Sequence, residues 1–277
     1  MANMQSPETR SVSRGNRTIF GYPRDFLKNQ FVYLTVSPSA RGLAVGINVN
    51  PASPAPPLDL DRMMKELIDT LSLIHSGALY LLPAYQDFPS DLRALRHVAL
   101  SGDREPTEAP AFADAISVAR HVRAVSDQSF FKIALVTNGA FLHLPRVRTG
   151  VRRLTLYDEI WVQLDAGTQP YYERLHGSAH SLRRIVQNIR EVGNERPVVI
   201  QSLFTFLDTE APPEPEIAAY VNSLKNLIAA GASISRVQIY SVPGFRTSAD
   251  ARHLPLHELS AIAARVNAET GLPSEVF

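Results

Sequence analysis

The apolar positions of this chain fall into two rhythms that alternate along its length. Short runs rich in β-branched and aromatic residues, at Phe31–Val36, Leu43–Asn50, His97–Leu100, Lys132–Val136, Asp158–Leu164, Pro197–Phe204 and Arg236–Tyr240, predict strands. Their near-continuous apolar character is that of strands covered on both faces. Between them, apolar residues recur every three or four positions. Leu60, Met63, Met64, Leu67, Leu71 and Ile74 predict a helix over 58–74, and similar stretches predict helices over 111–125, 181–192, 215–230 and 256–270. Gly231 stands where a C-terminal cap belongs, and Gly271 with Pro273 stops the last helix.

The first two strands are separated only by the turn residues of 37–42, which predicts a hairpin. After it, strand and helix alternate, which calls for a parallel sheet with right-handed crossovers. About six such units are present, fewer than the eight of a closed barrel. The expected fold is therefore α/β, a partial (βα)6 TIM-like barrel of parallel strands preceded by a β-hairpin.

Composition narrows the chemistry. The 277 residues and 45% hydrophobic content suit one large core, so residues 18–277 are expected to form a single domain and the polar segment 1–17, with Arg10, Arg14 and Arg17, a mobile tail. No run is apolar enough for a bilayer and the N-terminus has no signal-like segment, so a cytoplasmic protein is expected. A formal net charge of +1 favours neither nucleic acid nor an anionic surface. The decisive number is zero cysteines, which excludes disulfides and every thiolate-ligated centre, ordinary iron–sulfur clusters included.

In a barrel of this kind the functional groups sit where strands end. Those positions carry Asn48 and Asn50, Ser101-Gly102-Asp103-Arg104-Glu105-Pro106-Thr107, Thr137-Asn138-Gly139, Asp165-Ala166-Gly167-Thr168, Gln201-Ser202 and Tyr240-Ser241-Val242-Pro243. Singly, such residues also make ordinary turns and caps. Together they predict a rim of amides, hydroxyls and carboxylates fitted to a polar small molecule with hydroxyls and an amine. The connection after the Leu43 strand, PASPAPP, holds no group that binds metal, carries a proton or attacks as a nucleophile.

Other clusters point less clearly to chemistry. His176 with His180, and His253 with His257, have the four-residue spacing of zinc ligands on a helix, but neither pair has an accompanying glutamate, and capping or surface roles are expected. Arg146, Arg148, Arg152 and Arg153 form a basic cluster that could hold an RNA backbone, although a solvated crossover is the expected role. Trp161, within a strand run, is expected in the core.

The ordered segments GINVNP, SGDREPT, VTNG, WVQLDAGTQPYYERLHG and VQIYSVP resemble the radical S-adenosylmethionine superfamily, in particular bacterial proteins similar to the tRNA wyosine-type radical enzymes. The resemblance runs from about Gly21 to the C-terminus. It implies that Gly102, Asp103, Glu105 and Pro106 form the loop that holds the amino and carboxylate groups of S-adenosylmethionine, and that Asn138, Asp165 and Gln201 face its ribose, its adenine or the substrate. It also implies a 4Fe–4S cluster and, through the tRNA-modifying members, tRNA as a partner.

The chain departs from that pattern in two places. Family members carry a Cys-x-x-x-Cys-x-x-Cys loop after the first strand, whereas this chain passes directly from Asn50-Pro51 to the next helix. Arg104 stands where the family pattern more often has glycine, and its cation could fill the pocket or neutralise Glu105. Three readings follow: a degenerate superfamily member without radical catalysis that keeps a site for S-adenosylmethionine or a nucleoside; a truncated or wrongly assembled copy of an active radical enzyme, with RNA modification among the activities the resemblance implies; or a non-radical enzyme using Asp103, Glu105 and Asp165 as acid–base groups.

Overall fold

A computed structural model describes residues 26–37, 41–83, 85–126, 130–177, 180–207, 209–242 and 253–277. The expected N-terminal tail, the turn at 38–40 and Pro243 lie outside the described residues. Among the described residues, eight strands form one sheet in sequential order: β1 (Val32–Ser37), β2 (Gly42–Asn48), β3 (Leu95–Ser101), β4 (Lys132–Thr137), β5 (Glu159–Gln163), β6 (Val198–Leu203), β7 (Ile234–Tyr240) and β8 (Ser274–Val276). The first pair is antiparallel, with Leu34 opposite Val45, and every later pair is parallel. The expected hairpin and partial barrel are both present. β8 extends the parallel set by one strand beyond the six units read from the pattern, because three residues after a proline carry too little periodicity to announce a strand.

Among the described residues, seven α-helices connect the strands: α1 (Leu60–His75), α2 (Phe112–Val125), α3 (Pro145–Arg152), α4 (Gln169–His176), α5 (Leu182–Glu195), α6 (Glu214–Ala229) and α7 (Leu256–Thr270). Their ends follow local chemistry. Asp59 caps α1 by accepting from Arg62 N–H at 3.0 Å, Ser181 caps α5 through Arg184 N–H, and α7 stops at Gly271 with φ +71°. Gly231, with φ +86°, follows the end of α6 as expected. The short helices α3 and α4 were not predicted; eight residues are only about two turns, too few for periodicity to register.

The strands are not covered by apolar side chains on both faces. On one face Val45, Ile47, Val98, Leu100, Ile133, Leu135, Ile160, Val162, Ile200, Val237 and Ile239 join Met63, Leu67, Ile116, Ile185, Leu224 and Val266 of the helices in one continuous core. On the other, only Ala134, Trp161 and Val199 form a separate small cluster, with Ala99 and Val136 against it. All the large helices therefore bury one face of the sheet, and the opposite face lines an interior.

Register puts the polar strand residues on that inner face. Asn48 pairs with Ser101, Gln163 with Gln201, and Gln201 with Gln238, in line with Ala99, Ala134, Trp161 and Val199. Gly46 belongs to the same face, and a Cβ there would fall 2.2 Å from the Tyr33 ring. Its missing side chain lets Tyr33 lie across β2 and bond Ser101 Oγ at 2.6 Å.

Charge closes the interior at the N-terminal ends of the strands. Glu159 accepts from Lys132 Nζ (2.7 Å), Arg236 (2.8 Å) and Trp161 Nε1 (2.6 Å), with His97 3.5 Å away, and Arg41 pairs with Glu275 at 2.9 Å. These partners hold the Glu159 carboxyl far below its ordinary range although burial alone would raise it. Trp161 is thus a packing residue of the interior, as expected, with an indole N–H tied to the charged floor.

Candidate functional site

The C-terminal ends of β2, β3 and β4 bring most of the expected residues together. Asn48 grips Asp103 twice: its amide donates to Asp103 Oδ2 at 2.8 Å, and its carbonyl accepts from Asp103 N–H at 3.1 Å. Ala52 N–H donates to the same Asp103 oxygen. Asn50 donates to the Glu105 carbonyl at 2.8 Å, and Arg104 N–H donates to the Asn50 carbonyl at 3.3 Å. Gly102 is needed at this crossing, since a Cβ would lie 2.6 Å from Asn48 Oδ1. The connection after β2 is thereby tied along its length to the loop after β3.

Arg104 belongs to the same tie. Its guanidinium donates to the Pro51 carbonyl at 2.8 Å and its side chain stays exposed. The expectation that it would neutralise Glu105 is not met. Glu105 instead turns toward β4: Oε1 accepts from Thr137 Oγ1 (2.6 Å) and from the hydroxyl and N–H of Thr107, and Oε2 accepts from Asn138 N–H (2.8 Å). Desolvation nevertheless pushes its pKa up against these hydrogen bonds. Pro106 opens a single turn over 106–108 in which Pro106 and Thr107 are buried, and Asn138 Oδ1 accepts from Ala140 N–H to shape the turn after β4.

The exits of β5, β6 and β7 form the other side of the rim. Asp165 is buried; it accepts from Leu203 N–H at 2.8 Å, and its second oxygen lies 2.9 Å from His176 Nε2. His176 was expected only to cap or to face solvent, and it is instead the partner of the rim carboxylate. Glu216 on α6 binds the loop after Asp165 by accepting from Gly167 N–H (2.5 Å), Thr168 N–H and Thr168 Oγ1. Gln201 donates to Gln238 Oε1 at 3.0 Å. Gln163, next to Gln201, and Tyr240 at the end of β7 are half-buried, and among the described residues neither the Gln163 amide nor the Tyr240 hydroxyl has a hydrogen-bond partner.

Gln163, Gln238 and Tyr33 were missed as site residues. Their signal is present in strict alternation: Glu159, Trp161 and Gln163 interleave with Ile160 and Val162, and Arg236, Gln238 and Tyr240 with Val237 and Ile239. A reading of these runs as apolar on both faces overlooks that period of two.

Metal chemistry finds no support in the donor set. A thiolate-bound cluster does not fit a chain without cysteine, and among the described residues no three His, Asp or Glu side chains are grouped to hold a metal. The basic cluster on and after α3 is engaged within the chain: Arg148 with Glu191 and Glu195, Arg153 with Asp114, and Arg146 with the Thr107 carbonyl. No described helix is long and apolar enough to cross a membrane.

No family model and no curated sequence matches the chain. Solved structures do. A TYW1 with a lysine–pyruvate adduct bound superposes with a TM-score of 0.55 at 14% identity, over 83% of this chain and 74% of that one. An archaeal TYW1 gives 0.52 at 12% identity over 90% of both chains. A radical SAM methyltransferase from Sphaerobacter thermophilus gives 0.55 at 12% identity, over 89% of this chain and 68% of that one. The fold resembles that of these three structures. At these identities the likeness is one of architecture, and the chemistry has to be argued from this chain's own residues.

Proposed function

We propose that this chain is a cluster-free member of the radical SAM fold that binds a nucleoside-type small molecule in the open end of its barrel and performs no radical chemistry. The observation that carries the reading is the inner face itself. A barrel kept only as a scaffold gains most from aliphatic packing, yet here Asn48, Ser101, Gln163, Gln201 and Gln238 share the face opposite the core. Amides and hydroxyls gathered on one face of a sheet offer both donors and acceptors, the combination that a heterocycle edge and a ribose require.

The absence of thiolates removes the electron donor that reductive sulfonium cleavage needs. The ties from Asn48, Asn50 and Arg104 also favour an intact, settled protein over a truncated copy of an active enzyme, because they join the short connection after β2 to its neighbour by specific hydrogen bonds. A non-radical acid–base enzyme built on Asp103, Glu105 and Asp165 is less well supported, since each carboxylate already has partners within the chain.

Anaerobic incubation with ferrous iron and sulfide, followed by calorimetric titration with adenosine, tests the reading. It predicts a colourless protein that releases saturable heat, with binding weakened in Gln201→Leu. Incorporation of a cluster, or no heat from a folded protein, would overturn it.

A further inference from the structure

Among the described residues, Asp103, Glu105 and Asp165 bring carboxylates to the rim, and their engagement decides which nucleoside the mouth would take. Asp103 is held by the Asn48 amide and Ala52 N–H, Glu105 by Thr107, Thr137 and Asn138 N–H, and Asp165 by Leu203 N–H and His176. Backbone acceptors beside them are engaged too: the Glu105 carbonyl by Asn50, the Asn50 carbonyl by Arg104 N–H, and the Pro51 carbonyl by the Arg104 guanidinium. A ligand ammonium entering here would compete with these donors for carboxylate oxygens that the protein already uses.

Among the described residues, a cation stands exposed beside these braces. Arg104 is exposed, and its guanidinium meets only a neutral carbonyl, so it repels a positively charged ligand. On the facing strands the groups without a protein partner are neutral, the Gln163 amide and the Tyr240 phenol, with the Gln201–Gln238 pair between them. Desolvation raises the Tyr240 pKa further, which keeps the phenol uncharged.

Resting on the nucleoside reading above, we infer that the site selects an uncharged nucleoside and rejects the amino-acid-bearing sulfonium S-adenosylmethionine. The carboxylates of the rim act as braces between strand exits, and recognition falls to the amides of β5 to β7. Selectivity arises from a repulsive element, Arg104, together with carboxylates that protein donors already engage, while affinity comes from neutral hydrogen bonds.

Parallel calorimetric titrations with adenosine and S-adenosylmethionine, on the unaltered protein, Gln163→Leu and Arg104→Gly, test the inference, with thermal unfolding confirming that each variant is folded. Adenosine should bind at least about tenfold more tightly than S-adenosylmethionine, Gln163→Leu should weaken adenosine about tenfold, and Arg104→Gly should narrow the gap between the ligands. Equal or tighter binding of S-adenosylmethionine to the unaltered protein would overturn the inference while leaving a nucleoside site in place. Binding of neither ligand would overturn the site and the inference together.

Discussion

Single carboxylates organise this molecule more than their positions in the sequence suggest. Asp158 has a fully buried side chain that accepts from Arg123 (2.5 and 3.2 Å), Ile133 N–H and both donors of Thr155. Burial alone would raise its pKa, but these donors pull it below the ordinary carboxylate value. Asp158→Ala would strand the Arg123 charge and should cost about 3–5 kcal/mol, read from urea unfolding. Glu105→Ala leaves the Thr107, Thr137 and Asn138 donors unmatched and should cost about 2–3 kcal/mol.

The direction of the pH dependence follows from the same residues. Asp158 and Glu159 have depressed pKa values in the folded protein, so their stabilisation is present above the unfolded carboxylate pKa and is lost as pH falls through the folded values. Glu105 has the opposite sign. Its raised pKa favours the folded state below the unfolded value, and that contribution disappears as pH rises through the folded one. The urea midpoint should therefore fall in acid, and Glu159→Gln should flatten that fall; an unchanged acid limb in the variant would assign the effect elsewhere.

At the scale of elements, close approach fixes how the strand exits meet the helices. Gly167 lies so near α6 that a Cβ would stand 2.1 Å from Tyr220 N. Gly167→Ala should push the loop after β5 away from Glu216 and destabilise the fold by about 1–3 kcal/mol. Measured stability equal to that of the unaltered protein would mean that the loop has room to move. Most elements were legible from periodicity because a long amphipathic helix or a β-branched run announces itself. The two-turn helices α3 and α4 and the three-residue β8 are fixed by tertiary contacts rather than by pattern. The rim was legible as a set of polar strand ends, and the pairing within it was not: nothing in the spelling of SGDREPT says that Arg104 turns to Pro51 and Glu105 to Thr137. Gln163 and Gln238 went unread for a different reason, since their significance depends on which face of the sheet the helices leave uncovered.

For the molecule as a whole, fold and chemistry separate cleanly. The helical layer and the outer strand residues make most of the core, to which the connection after β2 adds Val49 and, packed against it, Leu58, so the barrel needs no thiolate centre to hold its layers together. What distinguishes this chain is an interior floored by the ion pairs of Glu159 and lined above by neutral amides. Trp161 sits on that inner face and is the sole tryptophan of the sequence, which makes its emission a built-in reporter of the interior. The most direct measurement is a titration of Trp161 fluorescence with adenosine in the unaltered protein. A saturable change in intensity or wavelength, absent in a folded Gln201→Leu variant, is the predicted result. Emission that stays constant to saturating adenosine, or a change that persists undiminished in that variant, would contradict a ligand site on the inner face of the barrel.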